Sequence, residues 1–211
     1  MDKFLKLIPG QCYHIYNIGN NREDLFYEHK NYFYFLNQYY KYIYPIADTY
    51  AYSLLKNHFH ILLQIKKEKS FQDTGNYDPD KLYLRFSNLF NSYSKSINKM
   101  YDRAGSLFEE RFKRECVNSD ILFKKIVRYI HLNPLIHGLT EDFRNYPYSS
   151  YNLILSDVKT KLARNKLLNI FGGIENFINY HNTVDPKLNY SFLETGVENG
   201  KIKIFSGLNY M

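Results

Sequence analysis

The chain lacks tryptophan and holds only two cysteines among its 211 residues. Cys12 and Cys116 are too few for a disulfide framework and have no zinc-type spacing, so both read as ordinary thiols of a reducing compartment. No run reaches the ~18 apolar residues of a membrane span, and no membrane partner is expected. Residues 1–10 hold Lys3 and Lys6 without a long apolar stretch, so no signal peptide is expected there. These absences together point to a soluble, cytoplasmic protein. The chain also lacks repeats and low-complexity tracts, with 10 glycines and 6 prolines. Its hydrophobic fraction of 45% and charged fraction of 23% exclude a disordered or collagen-like chain.

What is abundant is tyrosine, 22 residues, beside 16 phenylalanines. Asparagine, lysine and isoleucine are also frequent, a combination that AT-rich codon usage produces without functional selection. A functional tyrosine must therefore be identified by position. The net charge is +7. Residues 61–140 carry 14 basic and 9 acidic side chains, so most of the excess lies mid-chain. A basic, aromatic-rich chain raises nucleic acid as a partner.

The patterning predicts an α+β fold. Gln11–Ile18 is aromatic and β-branched and ends at Gly19, as a strand does. Apolar spacing from Asp24 to about Tyr42 predicts a helix ended by Pro45. Ile46–Leu55 and His58–Ile65 read as two strands joined by the Lys56–Asn57 link, a hairpin. Lys66–Asp80 reads as a loop. Lys81–Tyr101 is a long helix with Phe86, Leu89, Phe90, Tyr93, Ile97, Met100 and Tyr101 as its apolar face. Arg111–Val117 reads as a strand, and Ser119 or Asp120 caps a helix expected to stop at Pro134. Residues 149–182 look helical in pieces, with a break at Gly172–Gly173. The order strand–helix–hairpin–helix–strand–helix suggests a ferredoxin-like antiparallel sheet with helices on one face.

Two constellations could carry chemistry. In His58-Phe59-His60 the strand alternation turns both imidazoles to one side and Phe59 to the other. Such a pair is half of a metal site, or simply two surface histidines. In Tyr129-Ile130-His131-Leu132-Asn133-Pro134, Tyr129 and Asn133 stack one helical turn apart, with Lys125 a turn earlier. His131 lies about 200° round from Tyr129 and should not share that face. Alone, this stripe reads as a packed tyrosine before a helix-stopping proline. Lys95, Lys99 and Arg103 form a basic stripe at i, i+4, i+8, facing either solvent or phosphate.

Four segments in order resemble the single-tyrosine HUH transposases of the IS200-like superfamily, closest to their REP-associated branch. Tyr52–Leu63 resembles the HUH strand, and Gly105-Ser106-Leu107-Phe108 through Arg111-Phe112 the stretch that follows. Arg128–Pro134 with Gly138 resembles the nucleophile helix, and Tyr146-Pro147-Tyr148-Ser149-Ser150-Tyr151 the closing motif. The resemblance covers about residues 11–151. One departure is Lys56, where the family usually has proline; it alters turn stiffness and no ligand.

The resemblance implies metal-dependent cleavage and rejoining of single-stranded, hairpin-bearing DNA through a 5′-phosphotyrosine. Tyr129 would be the nucleophile. His58, His60 and Asn133 would hold Mg²⁺ or Mn²⁺. Arg85, Lys95, Lys99, Arg103, Arg111, Lys113 and Arg114 are candidates for phosphate contact, and Lys125 could steady the scissile phosphate. It further implies a catalytic domain over residues 1–151, a monomer or homodimer, and a bacterial, nucleoid-associated location; residues 152–211 lie outside the resemblance and read from their own pattern as a mainly helical extension of unknown role. Two rivals remain: a catalytically silent module binding hairpin DNA or RNA on the same fold, and a metal-dependent phosphoesterase that activates water instead of tyrosine.

Overall fold

A computed structural model of the chain describes residues 5–67 and 78–183. Most of the expected 66–80 loop and residues 184–211 lie outside the described residues. Among the described residues no helix is long and apolar enough to cross a membrane.

The elements are β1 (Cys12–Ile18), α1 (His29–Tyr42), β2 (Ala47–Leu54), β3 (His58–Ile65), α2 (Leu82–Met100), β4 (Lys113–Val117) and α3 (Asp120–Ile136). The strands form one antiparallel sheet in the order β2-β3-β1-β4. With its two crossover helices this is the ferredoxin-like arrangement. Both crossover helices lie on one face, as the pattern predicts. There Phe59 meets Phe35 of α1 at 5.2 Å and Phe90 of α2 at 5.7 Å between ring centroids.

The opposite face is also covered, by α3. Side chains alternate along a strand, so His60 points away from Phe59. Its ring centroid lies 5.1 Å from that of Tyr129 on α3. The helices α4 (Tyr151–Leu155), α5 (Arg164–Phe171) and α6 (Ile174–Asn182) follow, broken at Gly172–Gly173 as expected. The compact unit extends to His181, so these helices pack within it through residue 181. Ala163 N–H donates to the Thr49 carbonyl of β2 at 2.7 Å, which ties the segment before α5 to the sheet edge.

β4 starts at Lys113, two residues after the expected Arg111, and three larger differences from the sequence expectation have a physical cause. First, α1 begins at His29 and not at Asp24. The backbone N–H groups of Leu25 and Phe26 are taken by the Lys56 carbonyl, and Asn31 Oδ1 accepts from Tyr27 and Glu28 at 2.9 Å. These bonds hold residues 25–28 in a cap. Second, α3 continues through Pro134 to Ile136. Proline costs one backbone hydrogen bond, here near the helix end, where the burial of the Pro134 ring offsets it. The helix closes where His137 N–H meets the Asn133 carbonyl and Gly138 adopts φ +67°. Third, Met100 is 50% exposed, so the apolar face of α2 runs from Leu82 to Ile97.

Candidate functional site

The sheet register assembles the site. Tyr16 of β1 pairs with His60 and Ile18 with His58. On the other edge of β1, His14 pairs with Glu115 and Tyr16 with Lys113. Directly paired residues share a face, so His14, Tyr16, His58, His60, Lys113 and Glu115 all face the α3 side. From α3, Tyr129 and Asn133 descend onto that face one turn apart. Tyr129 is 1% exposed and Asn133 is fully buried. The tyrosine ring stands edge-on to His60 and, at 6.1 Å, to His14. His131, on the other side of α3, contacts His181 and Ser150 instead.

Gly19 closes the end of β1 beside this site. A Cβ there would sit 1.9 Å from the Glu23 carbonyl oxygen, so only glycine allows the tight 19–23 turn. That turn presents the Arg22 carbonyl to Asn57, whose Nδ2 donates to it at 3.3 Å. The amide of Asn57 is thereby oriented with Oδ1 on His58 Nδ1, at 2.8 Å.

Both motif histidines are neutral near pH 7. Burial pushes His58 down to about 4, helped by nearby His137 and opposed by its contact with Asn133. Burial also drives His60 well below its ordinary value, with His14 and His58 adding to the effect. Neutral His58 has one N–H for two amide oxygens, and the shorter contact, to the Asn57 Oδ1 oriented by Arg22, favours the tautomer with N–H on Nδ1. Nε2 therefore presents a lone pair to Asn133 Oδ1, also an acceptor, at 3.0 Å. Two acceptors so close favour a cation between them, and neighbouring ligands of one octahedral ion with bonds of ~2.1 Å lie about 3 Å apart. Asn133 Nδ2, His14 Nδ1 and Ser53 Oγ are buried without a hydrogen-bond partner on this same face. Among the described residues no three His, Cys, Asp or Glu side chains are grouped to hold an ion alone. Side chains holding an ion here would therefore need a donor beyond His, Cys, Asp and Glu, and the Asn133 amide beside His58 is such a donor. His58, His60 and Asn133 fit an ion that accepts mixed nitrogen and oxygen donors and keeps positions open.

The structure does not gather all the expected phosphate contacts around this site. Lys113 is exposed on β4, on the site face, and Lys125 is half-buried a turn before Tyr129. Lys95 and Lys99 are exposed on α2, in the layer on the opposite face of the sheet, where Arg85 is half-buried. Arg103 is paired with Glu23 and Asn98. Arg111 and Arg114 line a groove of about 860 Å³ between α2 and the 106–114 segment, which none of the site residues His58, His60, Tyr129 and Asn133 enters. Sequence reasoning missed His14, Asn57, Glu115 and His137. The last stands 4.6 Å from His58 between ring centroids. His14 had only the weak signal of a strand histidine, and its pairing partner could not be read from spacing.

No family model matches the chain. Over 123 residues it is 28% identical to a Haemophilus influenzae protein provisionally named a REP-associated tyrosine transposase, a match covering 56% of this chain. The chain spans 65% of the length of that relative. In three dimensions it resembles a solved REP-associated tyrosine transposase that is bound to a REP hairpin, with a TM-score of 0.59 and 17% identity. That likeness covers 74% of this chain and 87% of the other, and it establishes a shared fold.

Proposed function

We propose that this chain cleaves and rejoins single-stranded, hairpin-bearing DNA through Tyr129. The observation that carries the reading is the meeting of one tyrosine and one amide, a helical turn apart, with two neutral histidines on the facing strand. The likeness in sequence to a transposase and in fold to a hairpin-bound one supports it.

In the reaction, Tyr129 Oη attacks the scissile phosphorus as its proton leaves. A Tyr129–phosphate bond forms at the 5′ side, and the bond to the 3′ oxygen breaks to release a protonated 3′ hydroxyl. The reverse attack by a 3′ hydroxyl restores the tyrosine and joins strands without a nucleotide cofactor. His58, His60 and Asn133 would hold Mg²⁺ or Mn²⁺, which when bound polarises phosphate oxygens and stabilises the leaving 3′ oxygen. Asn57 fixes the proton of His58 on Nδ1 and keeps Nε2 bare. A phenol of ordinary pKa ~10 is neutral near pH 7, so attack also requires the proton to be removed or the phosphate to be strongly polarised. Because Tyr129 is 1% exposed, α3 or its cover must open before a strand can reach it.

The test is an assay for a covalent protein–DNA adduct on hairpin-bearing single strands with Mg²⁺ or Mn²⁺. Wild type is expected to form it, and Tyr129→Phe to lose it while retaining hairpin binding. Metal-dependent cleavage that survives Tyr129→Phe would select the water-using phosphoesterase. Hairpin binding with no cleavage by wild type would select the silent module.

A further inference from the structure

We propose that Glu115 and His14 form a positioning relay that fixes the proton of His60 on Nδ1 and leaves its Nε2 bare toward the site. The proposal rests on the reading of His60 as a metal ligand but concerns residues that reading does not use.

The relay is visible as a row of side chains across three strands. His60 Nδ1 lies 3.0 Å from His14 Nε2. His14 Nδ1 lies 3.9 Å from Glu115 Oε2. Glu115 Oε1 in turn accepts from Tyr16 Oη at 2.9 Å. The His14 and His60 rings are nearly parallel, at 19°, with centroids 5.1 Å apart.

The proton positions follow from which atoms can accept. His14 is fully buried, so its Nδ1 has no water to turn to. At 3.9 Å the carboxylate is beyond hydrogen-bond range and acts through its negative charge. That charge favours the His14 tautomer with N–H at Nδ1, aimed at Glu115. His14 Nε2 is then an acceptor, and the 3.0 Å contact requires His60 to donate from Nδ1. His60 Nε2 is left with its lone pair. The alternative tautomer of His14 would place a bare Nδ1 against the carboxylate, two acceptors facing each other, and would move the His60 proton to Nε2. Tyr16 holds Glu115 in place and prevents its rotation away.

The relay does for His60 what Asn57 does for His58. Both motif histidines then carry N–H on Nδ1 and a lone pair on Nε2, the state in which imidazole binds a metal. His14 reaches the site through His60, and Glu115 through His14, so both are positioning residues.

The experiment reads the tautomer directly. Long-range ¹H–¹⁵N NMR of the metal-free protein near pH 7 distinguishes Nδ1–H from Nε2–H imidazole. Wild-type His60 is expected to be Nδ1–H. His14→Phe keeps an aromatic ring but removes the acceptor, and is expected to shift His60 to Nε2–H or to a mixture. His14→Gln, whose Oε1 can accept, is expected to restore Nδ1–H at least in part. Glu115→Gln should shift the populations in the same direction as His14→Phe. Mn²⁺ titration of the same proteins should show roughly 10–100-fold weaker binding for His14→Phe. An unchanged His60 tautomer in His14→Phe that is folded by circular dichroism would overturn the relay. Wild type that shows Nδ1–H at His60 yet binds no Mn²⁺ would refute the metal reading while upholding the relay.

Discussion

Asn133 is the residue whose surroundings say most about the site. Its Oδ1 meets a histidine lone pair and its Nδ2 is buried without a partner. A buried polar group left unpaired costs about 1–3 kcal/mol, and with neither end of its amide matched, Asn133 contributes little to stability for a fully buried polar side chain. Asn133→Ala is therefore expected to change the unfolding free energy by less than about 1 kcal/mol in urea titration. The same variant should weaken Mn²⁺ binding at least about tenfold and remove the covalent adduct. Loss of stability without loss of metal binding would assign Asn133 a purely structural role.

At the scale of elements, α3 is fixed from both sides. One side meets the histidines of β3; the other is latched to α6. His181 Nδ1 must donate to the Phe177 carbonyl at 2.8 Å, so its Nε2 accepts from His131 Nδ1, also at 2.8 Å. His131 Nε2 then accepts from Ser150 Oγ at 2.8 Å, and Ser150 Oγ accepts from Tyr52 N–H at 2.9 Å. Every group in this chain is paired only while both rings are neutral. Burial pushes His181 down from 6.5 to about 4, with the Phe177 carbonyl partly opposing it. Burial drives His131 down as well, with His181 adding to it. The folded state thus binds fewer protons than the unfolded state between those two values. The neutral form's advantage is present above pH 6.5 and is lost as pH falls toward 4. Urea midpoints from about pH 7 to about pH 4.5 should fall with acidification, with His181 contributing on the order of 3 kcal/mol across the full interval. His181→Gln should flatten that dependence, and a profile as steep as wild type would show that the acid sensitivity lies elsewhere.

On the scale of the whole molecule, the basic residues divide between the two sides of the sheet. Lys113 faces the histidines, whereas Lys99 lies in the α2 layer behind the sheet. A strand bound across Tyr129 should meet the first and not the second. Each phosphate contact contributes about −0.7 to the slope of log K against log salt for single strands. Lys113→Ala is expected to reduce the magnitude of the slope for hairpin-bearing single strands by about that amount, with Lys99→Ala leaving it unchanged. The opposite result would place the DNA path along α2 and the 106–114 groove.

The sequence by itself determined whatever has a short period. Alternation put His58 and His60 on one side of a strand, and the helical repeat put Asn133 on the Tyr129 face. The element order was legible for the same reason, since each element's apolar pattern is complete within its own residues. Pro134 misled because a local rule predicts where a helix should break and does not weigh the packing that carries it to Ile136. Beyond the β2–β3 hairpin, tertiary structure alone decided which strands pair and in what register. His14 meets His60 across 46 residues of chain, and Tyr16 meets Glu115 across 99. No periodicity links residues so far apart. Only the register of β1 against both β3 and β4 brings His14 between His60 and Glu115, and a one-residue slip would turn it to the other face.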